Sequence, residues 1–228
     1  SDLKILSCIN NYPLNIWKSF VSKPIQRQFQ EIPNAALSYW LSEKSLEILI
    51  GNPRLEDLLN PLNGLQTGCN DRFIHFFWET TGVPNWLPYC KGGTYTRWAG
   101  IGWYTIRWET DNPLVKLQEG SIIPNEQTYF LPGYVFNQLS QGCISPRLKQ
   151  DCELFDHKAG GIFFKDLTNP YPVAAICSSR AFNHFLRGIS PSLAVETGYL
   201  RQVPIPQKLH HKDRLNKLEM KIISLKET

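Results

Sequence analysis

The chain lacks the sequence features of several common protein classes. Over its 228 residues no stretch approaches the roughly 18 uninterrupted apolar residues that a membrane-spanning helix needs. Residues 1–4 do not begin a signal peptide, in which a charged segment precedes an apolar one. None of the six cysteines belongs to a Cys-x-x-Cys pair, so neither a zinc site nor a disulfide scaffold is indicated. We therefore expect free thiols, a cytoplasmic protein and no membrane partner.

Motifs for catalysis are equally scarce. The chain has no Walker loop, no serine nucleophile elbow and no glycine-rich strand-to-helix turn for an adenosyl cofactor. Thr168-Asn169-Pro170-Tyr171-Pro172 partly matches the Asn-Pro-Pro-aromatic loop with which amino-methyltransferases hold a flipped base, but its second proline is displaced. We interpret this segment as a turn between two strands. We expect the chain to hold no cofactor and to transfer no methyl group by itself.

One charged triplet leaves a catalytic alternative open. Asp156-His157-Lys158 matches the carboxylate-x-lysine end of a magnesium-dependent nuclease site, which needs a further carboxylate near a strand end. Asp151 and Glu153 are close in the sequence but lack the usual proline–aspartate context. A solvated charged turn explains the triplet more simply, so a nuclease is the least favoured of three candidate functions.

The composition is that of a folded domain with a small excess of positive charge. Apolar residues make up 42% and aromatic residues 12% of the chain, which suits a substantial core and argues against disorder. The net charge of +4 arises from residues 201–228, because the acidic and basic residues before them cancel. This excess permits nucleic-acid binding, although solubility alone would explain it.

The hydrophobic pattern predicts an α+β fold with a mixed β-sheet, an N-terminal helical lead-in and a trailing C-terminal helix. Helices are expected between residues 34 and 59, and a serine-capped helix is expected over 178–187. Aromatic and β-branched runs predict strands at 72–78, 102–108, 134–136, 161–164, 173–176 and 200–205.

The last segment has a different pattern. Leu215, Leu218, Ile222 and Leu225 are spaced three, four and three residues apart, as in the seam between two packed helices. The remaining faces of this segment are basic and polar. We therefore predict a helix that packs along this seam.

Residues 64–108 interleave glycines, cations, amide or hydroxyl side chains and tryptophans. Backbone amides and cations of this kind grip phosphate, while aromatic rings shape the wall around it. A glycine pair can approach a phosphate or another strand closely, because no Cβ intervenes. The residues expected to contact nucleic acid here are Gln66, Thr67, Asn70, Lys91, Gly92, Gly93, Arg97 and Arg107.

A second polar segment, residues 140–149, offers similar chemistry through Ser145, Arg147 and Lys149. Both segments also have an explanation that needs no ligand. The first fits a hairpin turn packed by its own aromatic residues with its cations in solvent, and the second fits an exposed loop. The chemistry of the residues alone leaves these alternatives open.

Several blocks of sequence, taken together and in order, resemble a known family. Lys91-Gly92-Gly93 and Arg97-Trp98 belong to the most distinctive block, and the blocks lie at residues 32–42, 64–73, 86–98, 142–147, 175–180 and 189–206. They resemble the target-recognition region of large adenine-specific DNA methyltransferases of the BREX type and of the related type IIG restriction-modification enzymes. The chain departs from the family pattern at residues 94–100, where Ala99-Gly100 replaces an aromatic-glycine-asparagine run.

The resemblance implies a TaqI-type specificity domain, similar to type I restriction specificity subunits, that reads duplex DNA in the major groove. It divides the chain into a lead-in, a recognition domain and a spacer or docking helix, at residues 1–60, 61–206 and 207–228. The partners it implies are double-stranded DNA and a methyltransferase domain in cis, and S-adenosylmethionine would be bound by that other domain. A competing hypothesis is that the chain is a protein-docking module of the same restriction-modification or phage-defence system.

Overall fold

The computed structural model has an α+β fold built on two four-stranded sheets. The residues that the structure describes are 5–6, 21–22, 32, 40–93, 95–100, 102–111, 113–139, 143–166, 171–190, 192, 194–206, 209 and 211–227. The α+β class predicted from the hydrophobic pattern is confirmed.

The N-terminal part contains a short strand pair and two helices. Strands β1 (Ile5–Leu6) and β2 (Val21–Ser22) pair antiparallel. Helix α1 (Glu43–Gly51) begins at Ser42, whose side chain accepts a bond from the amide of Ser45, and α2 (Leu55–Leu58) follows. The predicted helices are confirmed over these ranges, whereas residues 34–39 lie outside the described part.

The first sheet is antiparallel and has the order β3-β10-β7-β8. Its strands are β3 (Leu59–Leu62), β7 (Gly133–Asn137), β8 (Arg147–Lys149) and β10 (Ala159–Phe164). The strands predicted at 134–136 and 161–164 are confirmed. The helices pack on one face of this sheet, where Phe136 and Ile162 belong to the larger of two hydrophobic clusters.

The second sheet has the order β4-β6-β5-β9 and is mixed, because β9 runs parallel to β5. Its strands are β4 (Ile74–Phe76), β5 (Trp86–Cys90), β6 (Tyr104–Arg107) and β9 (Leu154–Phe155). The strand predicted at 102–108 is confirmed, but the one at 72–78 is wrong outside β4. Helical turns α3 (Asn70–Phe73) and α4 (Phe77–Thr80) flank β4 on its two sides. The Glu79 carboxylate caps α4 by accepting a bond from the Phe76 amide at 2.8 Å.

The chain crosses between the two sheets four times, and two of these crossings lie side by side. Residues 64–66 follow β3, and residues 156–158 join β9 of the second sheet to β10 of the first. The crossings are bonded to each other, since the Leu65 amide donates to the Phe155 carbonyl at 3.0 Å and the His157 amide to the Leu65 carbonyl at 2.9 Å. Gly64 is required here, because a Cβ would lie 2.2 Å from the Phe155 carbonyl oxygen.

The C-terminal part is helical where two strands were predicted. Helix α5 (Val173–Cys177) replaces the strand expected at 173–176, and α7 (Thr197–Arg201) with an irregular segment replaces the one expected at 200–205. A short apolar run buried on all sides fits either structure, and here Pro172 starts a helix. The helix predicted at 178–187 is confirmed as α6 (Arg180–Ile189), whose cap Ser179 accepts from the Phe182 amide.

The C-terminal helix α8 (Lys212–Glu227) is confirmed, but it packs through a different face from the one predicted. Glu219 and Ile223 are buried, whereas Leu218, Ile222 and Leu225 of the expected seam are exposed. The Glu219 carboxylate accepts bonds from the Tyr134 hydroxyl and from the Ala175 amide. These bonds fix the rotation of α8 against the first sheet and α5, which the apolar spacing alone could not predict.

Two findings concern the membrane and the thiols. Among the described residues no helix is long and apolar enough to cross a bilayer. The five described cysteines, Cys69, Cys90, Cys143, Cys152 and Cys177, are free thiols.

Candidate functional site

An open cleft of about 590 Å³ lies where the chain crosses between the sheets. Six of the residues expected to contact nucleic acid line it, and they come from two segments that are far apart in sequence. The complete lining is Gln66, Thr67, Gly68, Asn70, Lys91, Gly92, Gly93, Asn137, Leu139, Asp156, His157 and Lys158.

One wall of the cleft is the segment from Gln66 to Asn70. The Gln66 backbone exchanges two hydrogen bonds with Ile122, at 2.8 and 2.9 Å, and its side chain is exposed. Thr67 is buried and its hydroxyl donates to the Asn70 Oδ1 at 2.8 Å. This wall therefore presents two amide side chains, while Thr67 orients one of them from behind.

The opposite wall is the segment 91–93, whose backbone is held by side chains. The Gly92 amide donates to the Asp156 Oδ2 at 3.4 Å, and the Gly93 amide donates to the Asn137 Oδ1 at 3.3 Å. Asn137 also donates from Nδ2 to the Gly93 carbonyl at 2.8 Å. Both glycine amides are thus engaged within the protein rather than directed at the cleft.

The two glycines have different steric surroundings. A Cβ on Gly92 would lie 2.8 Å from the Lys158 carbonyl oxygen, so Gly92 permits the close approach of the 156–158 turn. A Cβ on Gly93 would meet no heavy atom within 4 Å. Gly92 therefore serves the close contact with another part of the chain. Only Gly93 has the free space that the close approach of a ligand would need.

Arg147 lies beneath this wall and is only 1% exposed. Its Nη2 donates to the Lys91 carbonyl at 2.8 Å and its Nη1 donates to the Asn137 Oδ1 at 3.2 Å. Burial lowers the pKa of the guanidinium. Arg147 therefore supports the cleft from inside, and the expectation that it contacts DNA directly is corrected, because its side chain is covered.

Lys149, two residues further along β8, is fully buried. Its Nζ donates to the carbonyls of Tyr129, Leu131 and Gln150 at 2.8, 2.9 and 2.9 Å, which uses all three of its donors. Burial lowers the pKa of this amino group. Ser145 is also buried, so direct contact of Ser145 and Lys149 with DNA is corrected for the same reason. Residues 140–142 of this predicted patch lie outside the described part.

Two lysines give the cleft its positive charge. Lys91 is half-buried and Lys158 is exposed, and neither forms an ion pair with any residue that the structure describes. Asp156 also lines the cleft, but its oxygens accept bonds from the Tyr89 hydroxyl at 3.3 Å and from the Gly92 amide. Cations at the rim and amides on the walls make the cleft suited to a ligand rich in oxygen acceptors.

Asp156 and Lys158 were also considered as part of a magnesium-dependent nuclease. Within the described ranges, no group of three or more histidine, cysteine, aspartate or glutamate residues is placed to hold a metal ion. Asp156 is the one carboxylate in the cleft lining that the structure describes, and it already holds the Gly92 amide in place, so the lining offers little support to the nuclease hypothesis.

The two remaining predicted cations lie outside the cleft. Arg97 belongs to a segment that pairs with β8 and its guanidinium carbon lies 5.5 Å from the centre of the Tyr95 ring. Arg107 is at the far end of β6, where its Nε donates to the Glu109 Oε1 at 2.8 Å. Neither of them lines the cleft.

The prediction from sequence missed half of the cleft lining. Asn137 ends the buried strand β7 and is brought to Gly93 only by tertiary folding. The triplet 156–158 was noticed, but for nuclease chemistry rather than for its place between two walls. A polar residue directly after a buried strand is the signal that could have pointed to Asn137.

Comparisons with known proteins relate the chain to adenine-specific methyltransferases. No protein-family model matches it. It is 27% identical over 241 residues to the adenine-specific methyltransferase PglX of Lacticaseibacillus casei (strain Zhang), which covers 96% of the chain and 20% of that protein. It is 26% identical over 205 residues to the adenine-specific methyltransferase BrxX of Escherichia coli O9:H4 (strain HS), covering 85% of the chain and 17% of that protein. The chain thus spans about a fifth of the length of these curated relatives.

Proposed function

We propose that the chain is a DNA target-recognition region of an adenine-specific DNA methyltransferase of the BREX or type IIG kind, active in phage defence or restriction-modification. In this role it binds duplex DNA through the cleft and contributes sequence specificity. The similarity to PglX and BrxX supports the connection with methyltransferases.

The observation that carries the proposal is that Lys91, Lys158 and the amide side chains of Gln66 and Asn70 all line one open cleft. DNA presents a row of phosphate oxygens, each an acceptor with negative charge, and proteins grip them with lysines and amide donors. The exposure of Gln66 and Asn70 at the wall opposite Lys91 supports this role, because their side-chain amides can donate to phosphates or base edges.

Methyl transfer is assigned to another part of a longer protein. The chain matches only 17–20% of the relatives' length, which leaves room for a catalytic domain in cis. S-adenosylmethionine would be bound in that domain, because the sequence of the chain contains no glycine-rich turn suited to an adenosyl cofactor.

The test is binding of a fluorescently labelled duplex measured by anisotropy at several salt concentrations. Replacing Lys91 or Lys158 by Met should reduce the slope of log affinity against log salt by about one unit for each lost phosphate contact. Lys165→Met is the matched control, since Lys165 follows β10 at the end opposite to Lys158 and is exposed. Equal slopes for all four proteins would refute binding at the cleft.

Sequence specificity needs a second experiment, selection of bound molecules from a randomised duplex pool. A recognition domain should enrich a short site, and the Asn70→Ala variant should enrich it less than the parent does. Binding without any enriched site would remove the specificity part of the proposal and leave general DNA binding.

A docking module is the second candidate, because α8 exposes Leu218, Ile222 and Leu225 along one side. Exposed apolar stripes of this kind are common at protein interfaces. A docking module should show no salt-dependent duplex binding at the cleft and no enrichment from the pool, so the same two experiments separate the candidates.

A further inference from the structure

Three aromatic rings form a column that begins beside the cleft. Tyr104 and Phe76 are cross-strand neighbours on β6 and β4, with ring centres 5.1 Å apart and planes 25° from parallel. Phe76 in turn stacks on Trp78, with centres 4.5 Å apart and planes 6° from parallel. The column therefore leads across the edge of the second sheet and ends at Trp78.

The inner end of this column touches the charged rim of the cleft. The Lys91 Nζ lies 5.6 Å from the centre of the Tyr104 ring, so the lysine that lines the cleft also stands at the first ring of the column. A ligand that reaches from the cleft along the column meets a cation first and the exposed ring of Trp78 last.

The outer end of the column is open. Trp78 is 57% exposed, although Phe77 meets its ring edge-on at 5.1 Å. Phe77 and Trp103 beside it are also about half exposed, at 49% and 58%, and the Phe77 amide donates to the Trp103 carbonyl. Large aromatic side chains seldom remain this exposed in such a group unless they bind something.

The chemistry of this surface selects among possible occupants. A cation at one end of an aromatic column and an exposed ring at the other end fit a ligand that is both anionic and aromatic, which describes a polynucleotide. The bases of an intact duplex hide their faces in the stack, so only a base that has left the stack can lie on Trp78. Enzymes that modify a base displace it from the helix.

We propose that Trp78, supported by Phe76 and Tyr104, is a stacking site for a base that is displaced from the duplex held in the cleft. This inference rests on the proposed function, since it needs duplex DNA at Lys91. The site adds a contact to unpaired bases that cleft binding alone does not provide.

The experiment compares a paired duplex with the same duplex that carries one bulged 2-aminopurine, a base whose fluorescence falls when it stacks. The parent protein should bind the bulged duplex at least about fivefold more tightly, the lower end of what stacking on an aromatic ring contributes. It should also quench the 2-aminopurine. Trp78→Ala should lose both effects and keep its affinity for the paired duplex, whereas Trp78→Phe should retain part of them.

The controls separate failure of this inference from failure of the proposed function. Phe130→Ala removes an aromatic side chain that is 48% exposed and lies outside the column, and it should change nothing. If no preference for the bulge exists, or if Trp78→Ala retains it or weakens the paired duplex equally, the stacking site is refuted while duplex binding stands. If the parent binds neither DNA, the proposed function fails as well.

Discussion

Lys91, Arg147 and Lys149 were expected to contact DNA on the same grounds, and the fold puts Lys91 in a different environment from the other two. Lys91 and Lys158 stand at an open cleft, while Arg147 and Lys149 are buried in β8 behind it. The difference lies in the acceptors around each group. A buried amino group with three carbonyl acceptors can replace its hydration shell. The cleft lysines have no such set among the residues that the structure describes, so they are the ones proposed to meet a ligand.

Strand β8 has the sequence pattern of an exposed strand although both of its faces are covered. Arg147-Leu148-Lys149 alternates as an exposed strand would, with one apolar residue toward the core. In the fold, Leu148 does pack toward the helical layer. The face that carries the two cations is covered as well, because Trp98 pairs beside Arg147 and the turn after Thr128 closes over Lys149. Two-sided burial of this strand depends on distant segments.

The largest expected effect comes from exchanging the two kinds of lysine for methionine. Lys149→Met removes the donor to the buried Tyr129 carbonyl and to the partly buried Leu131 carbonyl, while the Gln150 carbonyl keeps its bond from the Glu153 amide. The change should lower the free energy of unfolding by about 3 kcal/mol or more. Lys91→Met should change it by less than about 0.5 kcal/mol, as is usual for side chains near the surface. Urea unfolding of both variants is the measurement. Similar urea midpoints for the two variants would show that the buried and the cleft lysines do not differ in their contribution to stability.

A smaller effect is expected from the paired glycines of the cleft wall. Gly92→Ala forces a Cβ to within 2.8 Å of the Lys158 carbonyl oxygen, and the resulting shift should cost about 1–3 kcal/mol. Gly93→Ala has room and should leave stability within about 0.5 kcal/mol. Thermal unfolding measures both changes.

The Gly93→Ala variant also tests whether a ligand uses the free space above Gly93. If it folds normally but binds duplex DNA more weakly, the cleft needs the space above Gly93 for a phosphate. If Gly92→Ala proves as stable as the parent, the close contact with the 156–158 turn does not constrain the wall.

The smallest expected effect concerns the buried acid Glu219, the counterpart of the buried cations. Burial raises the pKa of its carboxyl, although the bonds donated by the Tyr134 hydroxyl and the Ala175 amide act against this. A raised pKa in the folded state stabilises the protein below the unfolded value near 4.5, and this stability is lost as the pH rises through the raised pKa.

Glu219→Gln tests this, because glutamine keeps a carbonyl acceptor but does not titrate. Relative to this variant, the parent should lose stability as the pH is raised from about the pKa of an unfolded glutamate through that of the folded carboxyl. Unfolding temperatures of both proteins across that range are the readout. Parallel curves would mean that Glu219 titrates alike in the folded and unfolded states.

Local signals predicted the fold well where they act within a few residues. The serine-capped helix α6 and the strands β6, β7 and β10 could be located from the sequence, since capping and the preference of aromatic and β-branched residues for strands are local. The errors at 72–78, 173–176 and 200–205 fall on short segments. There, a cap such as Glu79 or a starting proline such as Pro172 decides between helix and strand.

The candidate site could be predicted only in part. Gln66, Asn70 and Lys91 carry their chemistry in the side chain and were found as a group. Asn137 and Lys158 gain their place from the pairing of β7, β9 and β10, which no short window of sequence contains. The sequence could not show that Asn137 and Lys158 lie beside Lys91. It also could not show that Lys91 lines the cleft while Arg147 is buried.

The crossing between the sheets also fixes the distance between the two backbone segments that border the cleft. Leu65, Asp156 and Cys90 lie side by side as three hydrogen-bonded chains, with Asp156 in the middle. Two strand spacings separate the outer chains, a width of about 10 Å that backbone bonds keep constant. The two backbones that border a DNA major groove are about 12 Å apart. If duplex DNA binds here as proposed, this width is smaller than the separation of its two backbones, so one backbone would lie in the cleft and the other outside it.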